Sequence, residues 1–262
     1  MNGNASREEE RHGARILKAI AAGGLGFAAQ WIHDAANPGK TFYAESLARV
    51  TDSDGTVHTA GTFVSLLERQ DRWVDLDLRI LDMVLSDLAA DETLVLGFNL
   101  SATSLSHSDR FADVFGRISR RSELASRLVI EITESYPVVG ASIERMKMIS
   151  ALGCRIAIDD FGSGFATPAS LLQVPADIVK IDAAFVWDNR PGRDGSNSLS
   201  HIVGFASCFA PFVVVEGIET GAQLNAAQEA GATHVQGFLL SRPVSLARLR
   251  RHKRKAVLRG VA

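Results

Sequence analysis

The chain has 262 residues, 46% hydrophobic and 22% charged, enough apolar material for one large α/β domain or two small ones. A formal net charge of −2 argues against a general binder of nucleic-acid polymers. No run reaches the length of a membrane span, and the polar, acidic start is unlike a signal peptide.

Cys154 and Cys208 lie far apart in apolar segments and read as buried thiols of a reducing compartment, not as a disulfide framework. A cytoplasmic protein without direct membrane insertion is therefore expected. Residues 1–14 are polar and read as a loose tail, and 15–262 as a single domain. Apolar runs of strand length follow at 26–32, 42–50, 93–100, 127–133, 154–160, 176–182, 212–217 and 233–238. Several are nearly continuous, as in strands covered by helices on both faces. Helical patterns start from Leu76, Ala141, Ser198 and Ala222, with a further one near Phe63 in the long second gap. Gly153 and Gly231 close two of them. The strongly basic stretch from Arg248 to Arg259 reads as the solvated face of a terminal helix. Eight strands with interleaved helices predict an α/β fold, a (β/α)₈ barrel of the TIM type, with a doubly wound open sheet as the alternative.

Seven of these strands carry a polar residue, mostly near the C-terminal end: Glu45, Asn99, Glu131, Asp159 with Asp160, Lys180, Glu216 and Gln236. A carboxylate inside an apolar strand is costly unless it is paired or binds metal. In a parallel barrel the strand C-termini converge on one face, where barrel active sites lie. Several carboxylates meeting there call for hard divalent cations, with Asn99 as a neutral oxygen ligand. The adjacent pair Asp159 and Asp160 suits two ions sharing one residue, an arrangement fitted to in-line attack of water on a phosphodiester. Lys180 is placed to hold that water or to offset phosphate charge.

In these motifs the chain resembles the EAL domain family, phosphodiesterases that hydrolyse the bacterial messenger cyclic di-GMP. The resemblance runs from about Gln30 to Val244. The signature Glu-Ala-Leu stands here as Glu45-Ser46-Leu47, with Arg49 two residues on. Phe98-Asn99-Leu100-Ser101, Glu131-Ile132-Thr133-Glu134, Asp159-Asp160-Phe161-Gly162, Lys180-Ile181-Asp182, Glu216-Gly217-Ile218-Glu219 and Gln236-Gly237-Phe238 match the remaining motifs in order.

The resemblance implies a modified barrel whose first strand runs antiparallel, with two Mg²⁺ or Mn²⁺ ions as cofactors and linear pGpG as product. Calcium usually inhibits the family. It implies one ion on Glu45, Asn99, Glu131 and Asp159, and a second on Asp159, Asp160 and Glu216. Lys180 would contact the nucleophilic water, and Gln30, Arg49 and Gln236 the substrate. Glu134 would stabilise the loop after the fifth strand, and Glu219 the loop carrying Glu216. Homodimerisation, biofilm formation and motility belong to the same family-level expectation. No segment reads as a separate sensory domain, so expression, dimerisation or a partner is the expected regulator.

Some positions depart from the family. Ser46 replaces Ala, Trp31 stands where Pro is common, Val50 where Trp is, and Val215 where Ala is. The Asp-Asp turn continues Gly164-Phe165-Ala166-Thr167-Pro168-Ala169 in place of Gly-Tyr-Ser-Ser-Leu. Pro168 removes a backbone donor and restricts Thr167. The altered loop leaves a second reading open, a catalytically weak or inactive EAL domain acting as a cyclic di-GMP receptor or protein-docking module. The histidines lack metal-ligand spacing, though His234, two residues before Gln236, stands near the site in sequence. Trp73 and Trp187 read as packing residues.

Overall fold

The computed structural model describes residues 2–69, 76–133, 140–163, 172–192 and 195–245, with side chains for all of these except 2–10, 65, 66, 68, 69 and 102. Helix α1 (Asn2–Ala21) leads into the hairpin of β1 (Leu25–Asp34) and β2 (Thr41–Thr51), and β3 (Val57–Thr59) folds back on β2. The polar opening, expected to be loose, is thus helical from Asn2. Ile16 and Ala19 anchor that helix in the core, and Arg15 reaches Asp52 and Asp54 at 2.6 Å.

Helices α2 (Ala60–Arg69) and α3 (Leu76–Ala90) precede β4 (Leu96–Asn99). Helices α4 (Ala102–Ser106) and α5 (Ser108–Ser119) and a 3₁₀ turn at Ser122–Arg127 lead to β5 (Leu128–Thr133). Then come α6 (Ala141–Ala151), β6 (Arg155–Phe161), β7 (Ile178–Ile181), α7 (Ala184–Trp187) and α8 (Ser198–Ala206). The described chain ends through β8 (Phe212–Val215), α9 (Gly221–Glu229) and β9 (His234–Val235).

The sheet closes on itself. Its order is β1-β9-β8-β7-β6-β5-β4-β2, β1 also pairs with β2, and β3 hangs on the end of β2. The closed ring rules out the doubly wound alternative. Strand β1 is antiparallel to both neighbours, and the remaining pairs of the ring are parallel. The chain between β1 and β2 dictates this. A parallel crossover needs a dozen or more residues, whereas Asn37-Pro38-Gly39 turns back tightly, Lys40 N–H donating to the Asn37 carbonyl at 2.9 Å. All eight predicted strands are present.

Side chains alternate across a strand, so the residue two positions before each site residue faces the barrel interior one layer down. Tyr43, Val129, Ala157, Ile178 and Val214 occupy that layer together with Ile32 and form a buried apolar plug. The larger core lies between the strands and the helices outside them, with Leu81, Leu88, Phe98, Ile130, Ile156 and Val179 among its members. Cys154 is buried as expected, but Cys208 is exposed, because it sits past the end of α8 in a solvent-facing turn. Among the described residues no helix is long and apolar enough to cross a membrane.

Candidate active site

The parallel strands deliver their polar residues to one end of the ring. Glu45 lies on β2 and Asn99 closes β4, in register with Glu131 on β5. Asp159 lies on β6 opposite Thr133, and Lys180 on β7. Glu216 follows β8, its N–H donating to the Ile181 carbonyl at 3.1 Å. Gln236 follows β9 and donates likewise to Val215 at 3.0 Å.

Consecutive residues of a regular strand point to opposite faces, so Asp159 and Asp160 could not both serve one site without a break. The break is present: the β6–β7 register shifts between Ile158 and Phe161. Asp160 has φ +55, the only positive value among the described non-glycine residues. Asp tolerates this left-handed conformation better than most residues. Asp160 N–H donates back to Asp159 Oδ1 at 3.0 Å, and both residues line the same cleft.

Lys180 stands at the centre, 1% exposed. Its Nζ lies 3.1 Å from Glu45 Oε2, 2.8 Å from Glu131 Oε2, 2.9 Å from Asp159 Oδ1 and 2.9 Å from Glu216 Oε1. Glu45 also accepts from Gln236 Nε2 at 2.8 Å and from Asn99 Nδ2 at 3.0 Å. The approach of Lys180 to Glu131 falls outside hydrogen-bond geometry, and neither Glu131 oxygen accepts a hydrogen bond among the described residues. Gly97 makes room for that carboxylate: a Cβ there would lie 1.9 Å from Glu131 Oε1.

One ammonium does not balance five carboxyl groups, and the protonation equilibria show it. Burial pushes Glu131 well above the usual carboxylate range and raises Asp159, in both cases against the pull of Lys180. Burial, with Asp159 next to it, lifts Asp160 to about 6. Burial lifts Glu216 to about 8. Glu45 goes the other way: burial raises it, but Lys180, Gln236 and Asn99 together outweigh burial and hold it low. Burial alone would lower Lys180, but the surrounding carboxylates hold its pKa well above the ordinary value.

The donor set is all oxygen and falls into two groups of closely spaced atoms, Glu45-Glu131-Asp159 and Asp159-Asp160-Glu216, with Asp159 common to both. Buried oxygens without donors and a shared carboxylate fit hard divalent cations. The cleft above them has a volume of about 770 Å³.

Other expected residues are placed less uniformly. Gln30 pairs with Glu45 across β1 and β2, lines the cleft and donates to the Ser241 carbonyl at 3.0 Å. Arg49 instead lines a second depression beside Gly24 and Pro243, its Nη1 donating to the Leu47 and Ala48 carbonyls at 3.3 and 2.9 Å. Glu219 is exposed, and the bracing of its loop comes from Gln223, whose Oε1 accepts from the Glu219 and Thr220 N–H groups at 2.8 and 2.9 Å. Glu134, the loop 164–169, Trp73 and the basic stretch 248–259 lie outside the described residues. His234 stays away from the carboxylates, stacked on Phe42 at 4.2 Å near the strand starts.

Sequence reasoning missed one residue, Asp77, and read another, Trp187, as a packing residue where the structure exposes it. Asp77, at the start of α3, is buried beside the cleft and accepts from Ser101 Oγ at 2.6 Å, fastening the loop after Asn99. Its signal was an acidic residue at the start of an apolar helix pattern. Trp187 is 63% exposed on the cleft rim, because the four-residue α7 leaves its indole outside the core.

The EAL domain family model matches residues 14–243. The chain belongs to the EAL domain family. It is 31% identical over 214 residues to the bifunctional diguanylate cyclase/cyclic di-GMP phosphodiesterase MucR of Pseudomonas aeruginosa, covering 78% of this chain and 31% of that protein. It is 32% identical over 211 residues to the probable cyclic di-GMP phosphodiesterase PdeA of Escherichia coli, covering 78% and 29%. The chain thus spans about a third of the length of these relatives. Among solved structures it is similar to the PaMucR phosphodiesterase in complex with c-di-GMP, with a TM-score of 0.77 and 28% identity over 90% of this chain and 98% of that one. An EAL domain protein of Listeria monocytogenes shares the fold at a TM-score of 0.79 and 21% identity, over 91% and 96% of the two chains.

Proposed function

We propose that the chain hydrolyses cyclic di-GMP to linear pGpG by metal-dependent, in-line attack of water on one phosphodiester. The observation that carries the reading is the pair of overlapping carboxylate groups sharing Asp159 at the strand ends of an EAL-domain barrel. The names of MucR and PdeA as cyclic di-GMP phosphodiesterases support the substrate.

Two Mg²⁺ or Mn²⁺ ions, when bound, would supply Lewis acidity and a lowered water pKa. Glu45, Asn99, Glu131 and Asp159 would hold one, and Asp159, Asp160 and Glu216 the other. Lys180 would hold the attacking water and offset phosphate charge, since its ammonium keeps its proton while buried. Gln236 orients Glu45 through the 2.8 Å hydrogen bond and faces the cleft with Gln30. Arg49 would reach a phosphate or a guanine edge by leaving its two carbonyl partners. Residues 15–262 would act as one domain of a cytoplasmic homodimer, which light scattering checks.

Hydrolysis of cyclic di-GMP by the purified chain in Mg²⁺ and in Mn²⁺, beside Glu45→Ala and Asp159→Asn, tests the reading. Linear pGpG is expected from the wild type and little from either variant. Binding of cyclic di-GMP without product would refute turnover and make the chain a receptor.

A further inference from the structure

The mouth of the cleft carries two aromatic rings that hydrolysis has not used. Trp187 is 63% exposed and Phe238, two residues after Gln236, is 48% exposed. Both line the cleft that holds Lys180 and the carboxylates. An exposed indole forgoes most of the stabilisation that burying so large an apolar surface brings. The position therefore does little for the core and leaves a flat face free at the rim.

That face is also fixed. The indole Nε1 donates to the Gly217 carbonyl at 3.2 Å, next in the chain to Glu216. Gly217 has φ +71, and a Cβ there would come within 2.5 Å of Ala183 Cβ and 3.2 Å of the indole nitrogen, so only glycine lets this turn run so close to the ring. The ring is tied to the turn that presents a carboxylate to the site. The neighbouring turn carries Phe238: Ile218 N–H donates to the Gln236 carbonyl at 3.1 Å, and Leu239 N–H to Ile218 at 3.0 Å. The guanidinium carbon of Arg242 lies 4.7 Å from the centre of the Phe238 ring and braces it.

We infer that Trp187 determines substrate specificity as a stacking platform for one purine base, with Phe238 as a second apolar contact on the adjoining turn. The inference rests on the cyclic di-GMP reading, which brings two planar purines into the cleft with the phosphates. A ring already held by its N–H loses little freedom when a base covers it. Stacking accepts any planar base and gives nothing to a phosphodiester without one.

Steady-state hydrolysis of cyclic di-GMP in Mn²⁺ by wild type, Trp187→Ala and Trp187→Phe tests this. Tryptophan fluorescence titrations with cyclic di-GMP in Ca²⁺ accompany it, calcium being inhibitory in the family. Trp187→Ala should raise KM, and the Kd from calorimetry in the same Ca²⁺ buffer, by roughly 5- to 150-fold with little change in kcat. Trp187→Phe keeps a ring but not the N–H, so it should stay near wild type in KM while losing the quench that belongs to this indole. Unchanged KM in Trp187→Ala would overturn the inference. So would a fall in kcat shared by both variants with KM unchanged, because the residue would then only anchor Gly217 beside Glu216. A wild type that neither binds nor hydrolyses cyclic di-GMP would instead refute the substrate reading itself.

Discussion

Replacing Lys180 by Met removes the one ammonium that faces four carboxylates within 3.1 Å. Met has a similar length and leaves little cavity, so the perturbation is one of charge. Removing one partner of a buried ion pair costs roughly 3–5 kcal/mol. A second route gives a similar figure. If a carboxyl takes up a proton in place of its lost partner, lifting it from an ordinary pKa of about 4.3 to pH 7 costs about 4 kcal/mol at 1.36 kcal/mol per unit. Other carboxyls here already bind protons readily, Glu216 near 8 and Asp160 near 6, so the total stays close to one such step. In EDTA at pH 7 the variant should therefore melt roughly 6–20 °C below wild type, at about 2–4 °C per kcal/mol for a chain of this size. Saturating Mn²⁺ supplies the missing positive charge, and the deficit should shrink by half or more. Lowering the pH to about 5 should shrink it in EDTA too, because proton uptake becomes cheaper. Cyclic di-GMP hydrolysis should fall by roughly 10²-fold or more even with metal bound. Differential scanning fluorimetry in the two media decides the matter. Equal deficits in EDTA and in Mn²⁺ would show that Lys180 acts by packing, and the charge argument would be wrong.

Gly97→Ala places a methyl 1.9 Å from Glu131 Oε1 and 2.8 Å from Tyr43 Cε2; a loss of roughly 1–3 kcal/mol and weaker Mn²⁺ binding are expected in thermal melts and titrations, and wild-type values in both would contradict the packing described. Asp160→Asn keeps a side chain that tolerates φ +55 but removes one charge, so melting in EDTA should hold or rise while hydrolysis falls; a large loss of stability would mean that the carboxylate itself maintains the bulge. Glu216 and Asp160 have folded pKa values of about 8 and 6, above those of an unfolded chain, so the stability they lend is complete below about 4 and is lost as pH rises through these values. The metal-free protein should therefore lose melting temperature between pH 5 and about 8. Metal binding should release protons and tighten over the same window, which calorimetry in buffers of different ionisation enthalpy will detect; affinity independent of pH would refute these shifts.

The strands were legible because each is a short apolar run, and the acidic residues stood out because burial makes them costly there. The antiparallel first strand came only with the family resemblance; its physical reason, the short connection through Asn37, Pro38 and Gly39, is seen in the structure. Helix α5 shows Phe111, Val114 and Ile118 at helical spacing, all three buried, so its pattern was present in the sequence but not read. Strand β3 has only three residues and carries no period. Within the site the motifs named the converging residues but not the way they converge. Nothing in Asp159-Asp160 states that the second residue is left-handed, since that depends on the register shift against β7. Arg49 and Glu219 each stand at the matching motif position, and the motif does not state their partners in this structure, the Leu47 and Ala48 carbonyls for Arg49 and, for the Glu219 N–H, Gln223 Oε1.

The layer beneath the site explains how such a cluster can sit in a barrel at all. Tyr43, Val129, Ala157, Ile178 and Val214 form a buried, largely apolar floor two residues below the charged layer. A floor of low dielectric strengthens every attraction and every repulsion above it. That makes the carboxylates costly to one another and suits them to cations, which is the same fact seen from two sides. Tyr43 fills the floor beneath Glu131, and Gly97 gives up its side chain so that both fit. The carboxylate cluster is thus set as much by an apolar ring and one missing methyl group as by the acids themselves. A search for acidic motifs alone would pass over the residues that seat those acids.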